Sequence, residues 1–266
     1  MKTYNKRMDG TKVLFGAHRG DQLHFPENTM AAIKAAVELG CDIIETDVRM
    51  TRDGHLVLIH DRDVKRPTNG SGFVDEMTLK EIRELDAGGW KAPGFAGMQI
   101  PTVEEFLEYI SQTDVMVNWE LKEYPIDLGK ERAFACADKL VEMIEKYHMA
   151  ERSMMNSFSE QILEHIYDTY PGRFVIHGYI AYNAPKDFAQ KPLESFLDWA
   201  AIWHKSAENP AGFQEDYDYA IQRDILTCIL MPDTEEMYQK ALSMGCRMFT
   251  SNDPEKGIAV LRKLGL

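Results

Sequence analysis

Acidic, basic and imidazole side chains stand at the ends of short apolar segments in the first half of this 266-residue chain. They are His18, Arg19, Glu45, Asp47, His60, Glu120 and Lys122. Carboxylates are the ligands that Mg²⁺ and Ca²⁺ prefer, and imidazoles exchange protons near neutral pH. Guanidinium and ammonium groups bind phosphate oxygens. These residue types predict acid–base chemistry on an anionic substrate, assisted by a divalent cation.

Glu45 and Asp47 are two residues apart, so on a strand both side chains point the same way. Two carboxylates in one small volume raise each other's pKa unless a cation lies between them. Glu120 adds a third carboxylate, and the set suits Mg²⁺ or Ca²⁺ with open positions for water or substrate. Spacing alone leaves an alternative open, in which Glu45 and Asp47 form ion pairs with Arg49 or Arg52.

His18 and His60 follow two different apolar segments, and such a pair can serve as a general acid and a general base. The alternative for either residue is a histidine that is hydrogen-bonded in a loop. Arg19 and Lys122 supply the local positive charge that an anionic substrate needs on a chain with a net charge of −13.

Short apolar runs alternate with longer amphipathic stretches, which is typical of repeated βα units around a parallel sheet. The predicted strands are Val13–Ala17, Ile43–Val48, Leu56–Ile59, Val115–Leu121, Ser153–Asn156, Phe174–His177, Ala201–Trp203, Ile225–Met231 and Arg247–Thr250. The predicted helices are Thr29–Leu39, with Asn28 as N-cap, Thr78–Leu85, Val103–Ser111, Leu128–Tyr147, Glu160–Tyr170, Leu193–Ala200, Gln214–Gln222, Thr234–Met244 and Asp253–Leu264. Roughly eight strands in a chain of this length favour an α/β fold, the (β/α)8 or TIM barrel, which typically takes ~250 residues.

Residues 61–101 break this alternation with several Gly, Pro and Asn-Gly turns. We interpret them as a small insertion after the third strand that covers one mouth of a single barrel domain spanning residues 1–266. In such barrels the active-site residues come from the carboxyl ends of the strands and the loops that follow. The seven candidate side chains should therefore share one rim.

The bulk composition excludes several classes of function. No basic patch accompanies the charge of −13, so nucleic acid is not an expected partner. Cys41, Cys136, Cys228 and Cys246 lie far apart, which argues against a zinc site and for free thiols. We expect no signal peptide, no stable membrane insertion, a cytoplasmic location and a small-molecule partner; a homo-oligomer is compatible with the sequence.

Taken in order, several motifs closely resemble the glycerophosphodiester phosphodiesterase family. They are Gly16-Ala17-His18-Arg19-Gly20, Pro26-Glu27-Asn28-Thr29, Gly40 to Val48, Thr51-Arg52-Asp53-Gly54 and Val57-Leu58-Ile59-His60-Asp61. The resemblance is dense over residues 13–122 and thinner afterwards, where Ser157-Phe158 and Thr250 to Pro254 resemble later motifs of the family. An ordered set of motifs is far more specific than any one of them.

This resemblance implies a barrel that hydrolyses glycerophosphodiesters to glycerol 3-phosphate and an alcohol. It implies one divalent cation, Mg²⁺ or Ca²⁺, held by Glu45, Asp47 and Glu120. It further implies that His18 and His60 act as acid and base and that Arg19 and Lys122 hold the phosphate. Family members often form a cyclic phosphate first, using a neighbouring substrate hydroxyl. Glu27 is a candidate to orient Arg19 or His18.

Three positions depart from the family's usual pattern. Thr46 replaces an aliphatic residue, and Leu226–Asp233 lacks the common Trp-Thr-Val-Asn stretch. Thr250–Pro254 is one residue longer than the usual Thr-Asp-x-Pro. Trp119, Trp199 or Trp203 could replace the missing aromatic ring.

Two other functions stay open at this point: a phosphodiesterase acting on a lipid or another non-glycerol phosphodiester, and an inactive barrel used for binding. A metal-dependent amidohydrolase is disfavoured, because the first strand lacks a His-x-His pair.

Overall fold

Eight parallel strands close into a barrel in the computed structural model, which describes residues 8–180, 186–202 and 211–266. The strands of the described ranges are β1 (Leu14–His18), β2 (Ile43–Met50), β3 (Leu56–Leu58), β4 (Met116–Leu121), β5 (Ser153–Asn156), β6 (Val175–Ile180), β7 (Trp199–Ile202), β8 (Leu226–Leu230) and β9 (Met248–Ser251). Strand β1 pairs with both β2 and β9, which closes the barrel. The predicted TIM barrel is confirmed.

Helices surround the barrel and connect most of its strands. Those of the described ranges are α1 (Met30–Leu39), α2 (Leu79–Arg83), α3 (Val103–Ile110), α4 (Pro125–Leu128), α5 (Lys130–Lys146), α6 (Glu160–Thr169), α7 (Gln214–Ile221), α8 (Glu235–Met244) and α9 (Pro254–Lys263). Gly40 ends α1 in the left-handed conformation, as its lack of a Cβ allows. The N-cap of α1 is Thr29, whose hydroxyl accepts a hydrogen bond from Ala32 N, so the assignment to Asn28 was wrong.

Strand β3 is not a barrel strand. It runs antiparallel to β2, pairing Leu58 with Val48 and Leu56 with Met50, and β2 pairs directly with β4 inside the barrel. The short apolar run Leu56–Ile59 has the same sequence signature as a buried parallel strand, which explains why it was counted as one. The chain leaves β3 beside Asp47, because Ile59 N donates to Asp47 O at 3.1 Å.

Residues 61–101 form a segment with its own apolar cluster beside the barrel. Its buried core includes Val64, Val74, Ile82 and Ile100. Lys91 Nζ donates to the Gln22 carbonyl at 2.7 Å, so the segment contacts the loop between β1 and α1. The segment therefore lies against the rim at which His18 stands.

The barrel separates two apolar layers. Inside it, Leu14, Ile43, Met116 and Met248 pack together at the amino ends of the strands. There Trp199 Nε1 donates to the carbonyl of Met8 at 3.1 Å. The other core cluster fills the space between barrel and helices. The amino end of the barrel is thus filled with side chains, and polar groups concentrate at the carboxyl end.

The predicted helix Leu193–Ala200 was wrong. Only Leu193–Ser195 forms a single 3-10 turn, and Trp199–Ile202 is strand β7, buried throughout. A strand buried on both faces shows no alternation, so its apolar run was read as part of a helix. The end of the predicted strand Ala201–Trp203 lies outside the described residues. The predicted helix Leu128–Tyr147 is interrupted at Gly129, whose φ is +84°.

Within the ranges that the structure describes, no helix is long and apolar enough to cross a membrane.

Candidate active site

The three predicted carboxylates meet at the carboxyl end of the barrel. One oxygen each from Glu45, Asp47 and Glu120 lies within 4.8 Å of the others, and all three residues are buried. The strand register explains this meeting, because Asp47 on β2 pairs with Glu120 on β4. His18 on β1 pairs with Glu45, which brings the first histidine to the same level.

Two cations lie between these carboxylates. Arg19 Nε stands 3.1 Å from Asp47 Oδ2, and Lys122 Nζ stands 3.3 Å from Asp47 Oδ1 and is hydrogen-bonded to Glu120. The alternative partners Arg49 and Arg52 are engaged elsewhere. Arg49 lies 3.6 Å from Glu123 and Arg52 lies 3.3 Å from Glu81, so that alternative was wrong.

The carboxylates have opposite electrostatic behaviour. Burial, then the charges of Asp47 and Glu120, raise the pKa of Glu45 well above its ordinary value. Burial alone would also raise the pKa of Asp47, but Lys122 and Arg19 hold it far below the usual range. Two cations do not offset three carboxylates in this buried volume, which is why the protonated form of Glu45 is favoured.

This donor set fits a divalent cation. Glu45 Oε1 and Asp47 Oδ1 are buried and accept no hydrogen bond, although Lys122 is close to the latter. An unpartnered buried carboxylate oxygen is costly unless a cation satisfies it. All the available donors are oxygens, the preference of Mg²⁺ and Ca²⁺.

Arg19 is held in an unusual backbone conformation, with a φ of +56°. Its amide donates to Glu45 Oε2 at 3.0 Å, and its guanidinium donates to Glu27 at 3.0 Å. A left-handed non-glycine residue costs about 1–2 kcal/mol and persists where its surroundings fix it. Here the strain brings both the amide and the guanidinium of one residue to the carboxylates.

Asn28 and Thr46 support Asp47 from the outer side of β2. Asn28 Nδ2 donates to Asp47 Oδ2 at 2.8 Å, and Thr46 Oγ1 donates to Asn28 Oδ1 at 2.8 Å. The hydroxyl of Thr46 therefore has a defined partner. Asn28 also has a positive φ, of 56°, which suits Asn better than most residues.

The two histidines differ in their partners. His18 is 15% exposed at the side chain, its Nε2 lies 3.8 Å from Glu45 Oε2, and its Nδ1 lies 2.6 Å from Asn252 Oδ1. Burial lowers the pKa of His18 to about 4, so its imidazole is neutral at pH 7. His60 Nδ1 lies 2.5 Å from Asp61, whose own pKa is lowered chiefly by that hydrogen bond.

Arg66 joins the neighbours of His60 and Arg19, and the sequence analysis missed it. Its Nε donates to Asp61 at 2.5 Å, and its two terminal nitrogens donate to both oxygens of Glu27 at 2.7 and 2.8 Å. Glu27 in turn accepts from Arg19, as its candidate role required. Arg66 lies in the 61–101 segment, so no spacing in the sequence linked it to the site.

Aromatic rings stand on the side of β5 and β6. Phe158 and Tyr179 stack with centroids 3.8 Å apart, and Lys122 Nζ lies 5.5 Å from the Phe158 ring centre. Neither described candidate for the missing tryptophan lies here. Trp119 packs in the outer layer with its Nε1 on Ser153, and Trp199 fills the amino end of the barrel. Trp203 lies outside the described residues.

Comparisons with known proteins point to one family. A model of the glycerophosphoryl diester phosphodiesterase family matches residues 18–211. A glycerophosphodiester phosphodiesterase of Caldanaerobacter subterraneus subsp. tengcongensis is 46% identical over 159 residues, which are 58% of this chain and 62% of that protein. A putative glycerophosphodiester phosphodiesterase of Bacillus subtilis is 38% identical over 156 residues, 58% of this chain and 61% of that protein. The match thus spans less than two thirds of either relative.

Solved structures share the barrel. A glycerophosphodiester phosphodiesterase from Agrobacterium tumefaciens superposes with a TM-score of 0.74 at 24% identity, covering 91% of this chain and 97% of that one. A phosphodiesterase from Oleispira antarctica, solved in complex with its product sn-glycerol-3-phosphate, gives a TM-score of 0.78 at 23% identity, covering 96% and 99%. At these identities the likeness establishes the fold.

Proposed function

The chain belongs to the glycerophosphoryl diester phosphodiesterase family, and from that membership we propose that it hydrolyses glycerophosphodiesters to glycerol 3-phosphate and an alcohol. The observation that supports this proposal best is the cluster of Glu45, Asp47 and Glu120, with one oxygen of each within 4.8 Å of the others. It lies beside two histidines and two cations. An inactive barrel used for binding would have no need of that combination.

Glu45, Asp47 and Glu120 would hold Mg²⁺ or Ca²⁺, and a cation bound there would neutralise charge on the phosphodiester. Arg19 and Lys122 bind its non-bridging oxygens, Arg19 through a planar fork and Lys122 as a point charge. One histidine takes a proton from the attacking hydroxyl or water, and the other gives a proton to the leaving alkoxide. Asp61 orients His60 through a hydrogen bond to Nδ1.

The test is product identification with three substrates. Glycerophosphocholine, glycerophosphoethanolamine and glycerophosphoglycerol are each incubated with protein and Mg²⁺, and ³¹P NMR follows the phosphorus. We expect glycerol 3-phosphate from all three, with kcat/KM values within about thirtyfold, because β8 reads Leu-Thr-Cys-Ile-Leu and carries no tryptophan whose ring face could hold choline. Absence of glycerol 3-phosphate from every substrate would refute the proposal.

A lysophospholipid is a second candidate substrate. Segments that follow the carboxyl ends of β1, β3 and β4 expose Leu23, Trp90 and, in α4, Ile126, at 48%, 41% and 67%. Exposed apolar side chains at this end of the barrel favour contact with a lipid chain. The comparison is lysophosphatidylcholine against glycerophosphocholine below the micelle concentration. A higher kcat/KM for the lipid, lost in Leu23→Ser and Ile126→Ser, supports this candidate; equal loss with both substrates argues against it.

A further inference from the structure

Gln22 and Asn252 surround Nδ1 of His18, the ring nitrogen that does not face Glu45. Asn252 Oδ1 and Gln22 Nε2 each lie 2.6 Å from Nδ1. They also contact each other, with Gln22 Nε2 2.5 Å from Asn252 Oδ1. Gln22 lies in the loop after β1 and Asn252 follows β9. These two strands are neighbours in the closed barrel, so residues far apart in sequence meet at one atom.

The hydrogens of Gln22 bear on which atom of His18 carries the proton. A side-chain amide nitrogen has two hydrogens, and Gln22 Nε2 lies 3.1 Å from the carbonyl of His18, 2.5 Å from Asn252 Oδ1 and 2.6 Å from His18 Nδ1. We assign the two hydrogens to the two oxygens, which are the stronger acceptors. With that assignment none is left for His18 Nδ1, and Nδ1 itself donates a proton to Asn252 Oδ1. That oxygen has two lone pairs and accepts both hydrogen bonds.

We propose that Asn252, held in place by Gln22, is a positioning residue that keeps His18 in the Nδ1–H tautomer. The lone pair of Nε2 then faces the carboxylate cluster, where Glu45 Oε2 lies 3.8 Å away. Nε2 is the atom through which His18 exchanges a proton. The effect on turnover rests on the proposed hydrolysis; the tautomer itself does not.

The backbone around Asn252 is fixed on both sides. Its carbonyl accepts from Leu23 N at 3.1 Å, and the next residue, Asp253, caps α9 by accepting from Lys256 N at 3.0 Å. These contacts hold the Asn252 side chain where its amide oxygen reaches His18.

Gln22 is fixed as well. Its backbone carbonyl accepts from Lys91 Nζ at 2.7 Å, and its backbone N–H donates to Gly20 O at 2.9 Å. Because the backbone N–H and the carbonyl of Gln22 are both hydrogen-bonded, its backbone loses little conformational entropy when the side chain binds Asn252. The Gln22–Asn252 pair is therefore preorganised before any substrate arrives.

The first arm of the test reads the tautomer in metal-free protein. ¹⁵N-labelled histidine is observed by NMR, and the His18 signals are identified by their loss in His18→Ala. We expect the Nδ1–H form in wild type and in Asn252→Asp, which keeps an acceptor oxygen. Asn252→Leu removes the acceptor and should shift the signals to the Nε2–H form. An Nε2–H form in wild type, or an unchanged Nδ1–H form in Asn252→Leu, overturns the proposal.

The second arm measures turnover with Mg²⁺. Asn252→Leu should lower kcat about a hundredfold with KM changed by less than about threefold, as loss of a correctly placed acid–base group does. The kcat of Asn252→Asp should be at least about tenfold higher than that of Asn252→Leu. In the His18→Ala background, Asn252→Leu should have no further effect; an undiminished effect there contradicts a role through His18. If wild type hydrolyses nothing while the tautomer responds as expected, the proposed function fails and the positioning stands.

Discussion

Asp47 is the residue around which the site is organised. Its Oδ2 accepts a hydrogen bond from Asn28 and lies 3.1 Å from Arg19 Nε. Its Oδ1 lies 3.3 Å from Lys122 Nζ, is buried and accepts no hydrogen bond. Burial acts against its charge, and the two cations more than offset that penalty, so the pKa of Asp47 stays low. An ionised carboxylate with an open oxygen is what a metal site requires.

Replacing either site histidine should abolish most turnover without unfolding the protein. We expect His18→Ala and His60→Ala each to lower kcat by about 10²–10⁴-fold, the usual contribution of a placed acid or base. His18 and His60 stand at a rim and not in the apolar core, so thermal unfolding should move little. The controls are His55→Ala, an exposed histidine of the β2–β3 hairpin, and the wild type. Wild-type kcat in either variant would remove that histidine from the mechanism.

Sequence spacing was enough to find some of these residues and could not find others. Glu45 and Asp47 share a face because a strand alternates, and that is visible in the sequence. Asn252 is 234 residues from His18, and Arg66 is 39 residues from Glu27. Their contacts exist only because the barrel closes and the 61–101 segment folds back, which no local pattern encodes.

At the scale of elements, the 61–101 segment completes the rim. Arg66 from this segment binds Asp61, the partner of His60, and Glu27, the partner of Arg19. The bidentate contact with Glu27 uses the planar fork of a guanidinium, which a lysine cannot reproduce. Through Arg66 the segment thus links the orientation of His60 to that of Arg19, the arginine proposed to bind the phosphate.

We expect Arg66→Lys to lower kcat/KM by about 10- to 100-fold, because small displacements of reacting groups are costly. Arg62→Lys is the matched control. Arg62 lies in the same segment and makes the same two-pronged contact, at 2.7 and 2.9 Å, but with Asp75. Equal losses in the two variants would mean that the segment is merely destabilised, and the link through Arg66 would be wrong.

The element pattern predicted the barrel but misplaced two of its parts. The run Leu56–Ile59 was assigned to the barrel, although its hairpin with β2 leaves no parallel neighbour for it. Trp199 and Ala200, the first half of β7, were read as the end of a helix because all four residues of the strand are buried, whereas Ala201 and Ile202 were correctly assigned to a strand. Both errors arise where apolar runs carry no periodicity, so that only tertiary pairing decides the outcome.

At the scale of the whole molecule, charge and burial set the response to pH. His177 inside the barrel is fully buried, with Asn118 on Nδ1 and Cys228 on Nε2, and burial lowers its pKa to about 3. The unfolded chain therefore takes up the proton first as pH falls. The contribution of His177 to stability is complete above about pH 6.5 and is lost progressively towards pH 3.

Replacing this histidine should flatten the acid side of the stability curve. Between pH 7 and pH 4 the unfolding free energy of wild type should fall more than that of His177→Gln. The difference between the two falls should reach up to about 3 kcal/mol, at about 1.4 kcal/mol per pKa unit. Urea unfolding at each pH measures this, with His55→Gln as the control for removing an exposed imidazole. Parallel curves for wild type and His177→Gln would show that His177 does not titrate as its burial requires.

The central claim is that three buried carboxylates hold a divalent cation on which phosphodiester hydrolysis depends. The direct measurement is the rate of glycerol 3-phosphate release after exhaustive dialysis against EDTA, then after titration with Mg²⁺ or Ca²⁺, for wild type and Glu45→Gln. We predict loss of activity in EDTA, full recovery in wild type, and a much higher metal requirement in Glu45→Gln with its metal-free thermal unfolding little changed. Full activity in EDTA, or a Glu45→Gln variant that needs no more metal than wild type, would contradict the account.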